Sequence, residues 1–411
     1  MIPPLLRENL NFRRFFIGQS ISLLGDQVTA LALPLTAVLA LDATAGQMGV
    51  LTTLYLVPNL IFSLHAGAWV DRRGGRRMVM LMTDVGRGLL IGSIPIAYAF
   101  GHLSWTQLYI VAFLSGTLTV FFYVAYGAMI QMIVPRTDYV QANSLVHGSR
   151  AFSFVVGNTL GGLLVALLRG PYALAVDAVS YFWSALFLGR MHLDEPPGAP
   201  QETGGLMAGA RWIRNNAIIR AELLGVATLN LFNFMFFALF VLYATRSLHV
   251  GPATLGLVLG AAAVGTLAGS FVTARIGRRF GIGRTFAFGC FLFPAPLILV
   301  PLAGGPRWVV IACLFASEFL SGVGLMMLDI MAGTISAALV PATLRSRVSG
   351  AFIVVNYGVR PLGTSIGGFL GATIGLRPTL WIATVGALAG LLWIIPSPIM
   401  SLHDVPAEAS E

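Results

Sequence analysis

Four ionisable side chains lie deep inside long apolar runs of this sequence: Asp26, Arg150, Glu318 and Arg360. A charge at the centre of a bilayer is costly, so each needs a partner or a water-filled cavity. Asp26 is about twelve residues into its run, roughly 18 Å at about 1.5 Å per residue. The other three lie at similar depth, which predicts one acid–arginine pair in each half of the chain. An apolar surrounding favours the neutral carboxyl, and a nearby guanidinium favours the carboxylate. Moving the arginine, or a substrate competing for it, would then load or release a proton. Asp26 and Glu318 are therefore the candidate proton carriers, and a static pair that only orients helices is the alternative. For Arg150 and Arg360 the choice is between substrate contact and helix pairing. Asp329 lies about three turns from Glu318 and suits a gate contact as well as coupling.

Other side chains suit a substrate cavity. Phe121, Phe122, Tyr123 and Tyr126 fall in one run, and Phe232, Phe234, Phe236 and Phe237 in another. Tyr123, Tyr126, Asn230, Asn233 and Asn356 supply polar edges among apolar neighbours. An aromatic, partly polar cavity fits a bulky amphipathic solute; lipid-facing rings are the alternative. Asp84 and Arg87 are one helical turn apart and predict a local ion pair near the membrane edge. Asp177 is read as hydrogen-bonded structure, with Ser180 as a partner. The six histidines are scattered and the two cysteines, Cys290 and Cys313, sit in apolar runs, so neither a metal site nor a disulfide framework is implied. No cofactor is expected beyond an assumed proton gradient.

The elements that must hold these groups are membrane spans. Hydrophobic residues make up 57% of 411 and charged residues 10%, which excludes a soluble enzyme and a disordered chain. Apolar runs fall near 15–41, 47–70, 78–100, 105–134, 140–168, 171–189, 221–245, 252–274, 285–303, 307–340, 347–376 and 378–397. All 25 basic residues are arginine. Without lysine there is no P-loop and no Schiff-base chemistry. The net charge of +9 is read as membrane-edge arginines rather than nucleic-acid binding. With the N-terminus inside, eighteen loop arginines fall on the inner side and four on the outer, which predicts cytoplasmic termini in a cell inner (plasma) membrane. The expected organisation is an N-terminal six-helix bundle over 1–189 and a cytoplasmic linker over 190–219. A C-terminal six-helix bundle follows over 220–400, then a tail over 401–411. The linker includes an amphipathic piece around Arg211-Trp212-Ile213-Arg214.

The halves repeat. Gly157-Asn-Thr-Leu-Gly161-Gly162 matches Gly363-Thr-Ser-Ile-Gly367-Gly368 at an offset of 206 residues. The arginine-rich segment at 71–77 matches the one at 274–279 at nearly the same offset, which argues for a duplicated six-helix unit. The segment Gly67-Ala-Trp-Val-Asp71-Arg72-Arg73-Gly74-Gly75-Arg76-Arg77 resembles the signature loop of the major facilitator superfamily between spans two and three, with Gly75 in place of the usual arginine. Within that superfamily, Leu24-Gly25-Asp26-Gln27, Asp84-Val-Gly-Arg87, Ala142-Asn143-Ser144-Leu145 and Asp177-Ala-Val-Ser180 resemble the drug and siderophore exporter branch, which includes macrolide efflux proteins and the enterobactin exporter. The resemblance implies an all-α membrane protein of twelve transmembrane helices in two pseudo-symmetric six-helix bundles. It places the spans carrying Asp26, Arg150, Glu318 and Arg360 around a central cavity. It also implies that Gly67, Asp71, Arg72, Gly74 and Arg76 form a conformational latch. The expected function is proton-coupled export of hydrophobic or amphipathic small molecules by alternating access, as a monomer in the lipid bilayer. A lysophospholipid, siderophore or nutrient transporter with another direction or coupling ion is the alternative. An enzyme is not expected.

Overall fold

The apolar runs become long helices because in hydrocarbon every backbone N–H and C=O must be satisfied within its own segment. A computed structural model describes residues 3–193, 195, 206–341 and 343–403. Its first six long helices are α1 (Leu10–Ala40), α2 (Ala45–Arg73), α3 (Arg76–Ala99), α4 (Trp105–Ile133), α5 (Tyr139–Leu168) and α6 (Gly170–Gly189). The next six are α7 (Ala217–Arg246), α8 (Pro252–Phe280), α9 (Ile282–Leu292), α10 (Arg307–Leu339), α11 (Arg345–Thr373) and α12 (Leu376–Leu388). The ninth span is broken at Pro294 and Pro296 and continues as a 3-10 turn, Ala295–Ile298, and a short helix, Leu299–Leu302. The twelfth resumes at Leu391–Ile394 after Ala389 and Gly390.

Among the described residues, eleven segments are long and apolar enough to cross a membrane. Helix α11 has the length, 29 residues, but it carries Arg347, Asn356 and Arg360. Large apolar side chains stand exposed on the helix exteriors, among them Leu89, Phe271, Trp308 and Leu392. In water such a surface would aggregate; in a bilayer it is the solvent-matched face. The twelve-helix, all-α membrane architecture read from the sequence is the one observed.

Contacts divide the chain into two compact units. One comprises Met1–Ala43, Leu54–Thr203 and Gly251–Gly260; the other comprises Thr44–Thr53, Gly204–Val250 and Ala261–Glu411. In the first unit α1 lies against α5 and α6, and α3 against α4 and α6. In the second, α7 lies against α11 and α12, and α9 against α10. The repeated glycines make the repeated crossings. A Cβ on Gly161 would sit 3.1 Å from Val28 Cα in α1, and one on Gly367 would sit 2.7 Å from Met235 O in α7. Within the first unit Gly162 also meets Gly256, and within the second Gly368 meets Gly49, each with no room for a side chain. Helix Leu206–Asn215 packs on α11, with Ile213 buried and Arg211 and Arg214 exposed. That is the amphipathic piece seen in the sequence. Asn216 then caps α7 by accepting from Ile218 N and Ile219 N.

Candidate coupling and substrate site

Asp26 sits at the middle of α1 and is 22% exposed. The Tyr181 hydroxyl of α6 donates to its Oδ1 at 2.5 Å. The nearest cation is not the expected Arg150 but Arg87 of α3, whose Nη1 lies 3.8 Å from Asp26 Oδ1. Arg87 Nη2 also donates to Asp84, one turn earlier on α3. Its guanidinium stacks between the rings of Phe122, at 4.2 Å, and Tyr181, at 4.4 Å. Arg87 is only 2% exposed and Asp84 is fully buried. The local Asp84–Arg87 pair is present as the spacing predicted, but it is interior and reaches across to α1 rather than sitting at the membrane edge.

A third carboxyl lies alongside. Thr29 Oγ1 of α1 donates to Asp177 Oδ2 at 2.5 Å, and Ser180 Oγ donates to Asp177 Oδ1 at 2.9 Å. Gly25 makes this approach possible: a Cβ there would collide with Ser180 and Asp177. The first unit thus gathers Asp26, Asp84 and Asp177 around one guanidinium. Three carboxyls and one arginine cannot all be charged and balanced, so the group is suited to holding and releasing protons. Arg150 lies elsewhere, over the rings of Tyr126 at 5.3 Å and Tyr123 at 5.8 Å. Of the four aromatic residues of this run, Phe122, Tyr123 and Tyr126 touch one another, with Arg150 over the two tyrosines and Arg87 over Phe122, while Phe121 packs edge-on to Trp69.

The second unit arranges its candidates differently. Asn230 Nδ2 of α7 donates to Asn356 Oδ1 of α11 at 2.9 Å, and Asn356 Nδ2 donates to Phe352 O. Arg360 stacks on Tyr357 at 4.4 Å and Phe234 at 4.9 Å and interacts electrostatically with Asp329. No ion pair joins Arg360 to Glu318, contrary to the pairing expected for this half. Glu318 is half-buried, with no hydrogen-bond or ion-pair partner among the described residues, and Asn233 is likewise half-buried. One acid escaped the sequence reading. Glu222, in the second turn of α7, is 2% exposed with Oε2 unpaired among the described residues. It stands two residues from Arg220, where the apolar run begins, and its sequence position alone does not distinguish it from a charge at a helix end.

The α2–α3 loop turns on Gly74 and Gly75, both at φ +64°. That left-handed backbone is why two glycines stand there. Gly67 has open space where a Cβ would be, and Arg72 is exposed. The side chain of Asp71 lies outside the described residues. The partner the sequence did not single out is Glu195: its carboxylate accepts from Arg76 N at 2.5 Å and Arg77 N at 3.0 Å, capping α3. Arg77 Nη1 reaches back to Met191 O at 2.5 Å. The Arg87–Asp26, Tyr181–Asp26 and Glu195–Arg76 contacts join residues more than 60 positions apart, so spacing along the sequence does not reveal them.

Comparison with known proteins follows the same lines. The model of the Major Facilitator Superfamily matches residues 15–227 and 223–409. The chain is 26% identical over 409 residues to the multidrug efflux pump Tap of Mycobacterium tuberculosis (strain ATCC 25618 / H37Rv), covering 94% of this chain and 93% of that protein. It is 23% identical over 377 residues to the enterobactin exporter EntS of Citrobacter koseri, covering 90% and 87%. Among solved structures, a bacterial homologue of the iron transporter ferroportin in its inward-facing state matches 97% of this chain and 100% of that one. Its TM-score is 0.74 at 18% identity.

Proposed function

The chain belongs to the Major Facilitator Superfamily and is a multi-pass membrane transporter of small molecules; from that premise we propose that it exports hydrophobic or amphipathic compounds from the cytoplasm in exchange for protons, by alternating access. The observation that carries this reading is Asp26. It is the accessible member of a group of three acids, held by a Tyr181 hydroxyl at 2.5 Å and faced at 3.8 Å by the single guanidinium of Arg87. A shift of Arg87 toward Asp84 or Asp177 would leave Asp26 without its counter-charge and favour its protonation. The aromatic wall of Tyr123 and Tyr126, with Arg150 over it, supplies stacking surface for a planar or amphipathic cargo. The efflux activity named for the Tap relatives supports export, and the loop arginines support cytoplasmic termini. A siderophore cargo stands second, on the similarity to EntS.

The test is dye and antibiotic efflux from energised cells, with and without a protonophore. Wild-type export should collapse with the gradient. Asp26→Asn should abolish gradient-driven export at equal expression, while Glu318→Gln, which disturbs no ion pair, should retain at least half. Export that persists without a gradient would overturn proton coupling. Full activity in Asp26→Asn with loss in Glu318→Gln would move the carrier to the second unit.

A further inference from the structure

A groove of about 950 Å³ runs along the side of the first unit, where the end of α2, the start of α3 and the middle of α4 meet. Its floor is apolar: Met78, Val79, Met82, Leu118 and Phe121. Its loop end is cationic, with Arg72 and Arg73 exposed, and His65 lines the opposite end. Between the two stands Trp69, 41% exposed. Its ring is fixed from two directions, edge-on to Phe121 at 5.5 Å and under the Arg73 guanidinium at 5.2 Å.

We propose that this groove binds one anionic phospholipid from the adjoining leaflet, the phosphate on Arg73 and Arg72 and an acyl chain along Met78, Met82 and Leu118. Four observations point the same way. Charge and apolarity are segregated along the groove as they are along a phospholipid. From Arg73 to His65 is eight residues, about 12 Å along the helix, close to half the roughly 30 Å hydrocarbon core. Tryptophan beside arginine is the side-chain chemistry of the headgroup level. Met78 and Met82, the latter 66% exposed, offer unbranched, adaptable surface to a flexible chain. The N-terminal amides of α3 are not free to take the phosphate, because Glu195 already accepts from Arg76 N and Arg77 N; the guanidinia must do so. This site is independent of the cargo and of the coupling ion.

Native mass spectrometry of the detergent-purified full chain tests it, with dioleoyl phosphatidylglycerol and dioleoyl phosphatidylcholine added in equal amounts. Wild type should retain one phosphatidylglycerol in preference to phosphatidylcholine. Each arginine near an anionic headgroup is worth about fivefold in binding. Arg73→Gln combined with Trp69→Ala should therefore lower that preference by at least about fivefold, while Arg169→Gln, exposed at the far end of α5, should leave it unchanged. Met82→Trp fills the groove without altering charge and should also reduce retention; it decides the matter if the double variant fails to fold. Equal retention of the two lipids by wild type, or unchanged preference in both groove variants, would overturn the proposal.

Discussion

Where α1 meets α6 the first unit gathers ionisable side chains; where α7 meets α12, at the matching place in the second unit, a phenylalanine ring packs on glycine. The offset of 206 that aligns Gly157 with Gly363 also aligns Asp26 with Phe232 and Arg150 with Asn356. Where Asp26 receives the Tyr181 hydroxyl from α6, the Phe232 ring lies against Gly386 of α12. Where Arg87 stands among carboxyls, the second unit has Cys290 at the nearby offset of 203, buried among Phe286, Ala287 and Leu328. The duplicated backbone plan has been kept, while the close group of carboxyls around one guanidinium is built, among the described residues, in the first copy. An ion-pair group is stable in hydrocarbon only when its members are close together; in the second unit Arg360 stacks on rings and meets Asp329 only at longer range. On the proposed reading, coupling belongs to the first unit.

The sharpest way to break this comparison is to remove the central cation of each unit in turn. Arg87→Met leaves Asp84 fully buried beside Asp26 without the guanidinium they share. Breaking a buried pair in this way costs about 3–5 kcal/mol, read as a fall in unfolding midpoint in detergent together with loss of transport. Arg360→Met removes ring stacking on Tyr357 and Phe234, a hydrogen bond with Tyr357 and a longer-range interaction with Asp329, with the stacking worth about 0.5–2 kcal/mol. Equal losses would mean that the second unit conceals an ion pair as tight as the first.

These two arginines also mark the limit of what could be read in advance. The spans were legible because hydrocarbon forces length and apolarity on every one of them, and the crossings because only glycine allows such close approach. Asp84–Arg87 and Asp177–Ser180 were legible because both pairs lie one turn apart. The Asp26–Arg87 and Tyr181–Asp26 contacts were not, since depth along a helix says nothing about the direction in which a side chain points. Depth alone paired Asp26 with Arg150 and Glu318 with Arg360, and in each case the arginine instead stacks on tyrosine. Glu195 was hidden for another reason: as one acid in a polar linker, it gave no sign that the amides of α3 would be its partners.

The glycine crossings offer a finer comparison, since the motif is the same and the surroundings differ. A Cβ on Gly363 would run into the Leu231 carbonyl, which is fixed backbone. A Cβ on Gly157 would meet the Cβ and Cγ of Gln27 first, and then Leu24 O at 3.2 Å. Overpacking of this kind costs about 1–3 kcal/mol, so Gly363→Ala should fall near the top of that range and Gly157→Ala near the bottom. Thermal unfolding of the two variants at matched expression measures the difference. The reverse order would show that the α1–α5 crossing is the stiffer one.

The smallest effect separates hydrogen bonds of the two units. In the second unit Asn230 donates to Asn356, a neutral bond between helices whose worth in a membrane is about 0.6 kcal/mol. Asn356 is already held by its own bond to Phe352 O at 3.1 Å, so losing Asn230 leaves it oriented with a single free oxygen. In the first unit Tyr181 donates to a carboxyl, and hydrogen bonds to charged groups are worth about 1.5–3 kcal/mol. Double-mutant cycles built from Asn230→Ala with Asn356→Ala, and from Tyr181→Phe with Asp26→Asn, should therefore return coupling energies in that order. If the Tyr181–Asp26 coupling comes out no larger than the amide pair, the carboxyl was already protonated in the resting protein. Asp26 would then enter the transport cycle loaded, and gradient-driven export would depend on its release to the cytoplasm.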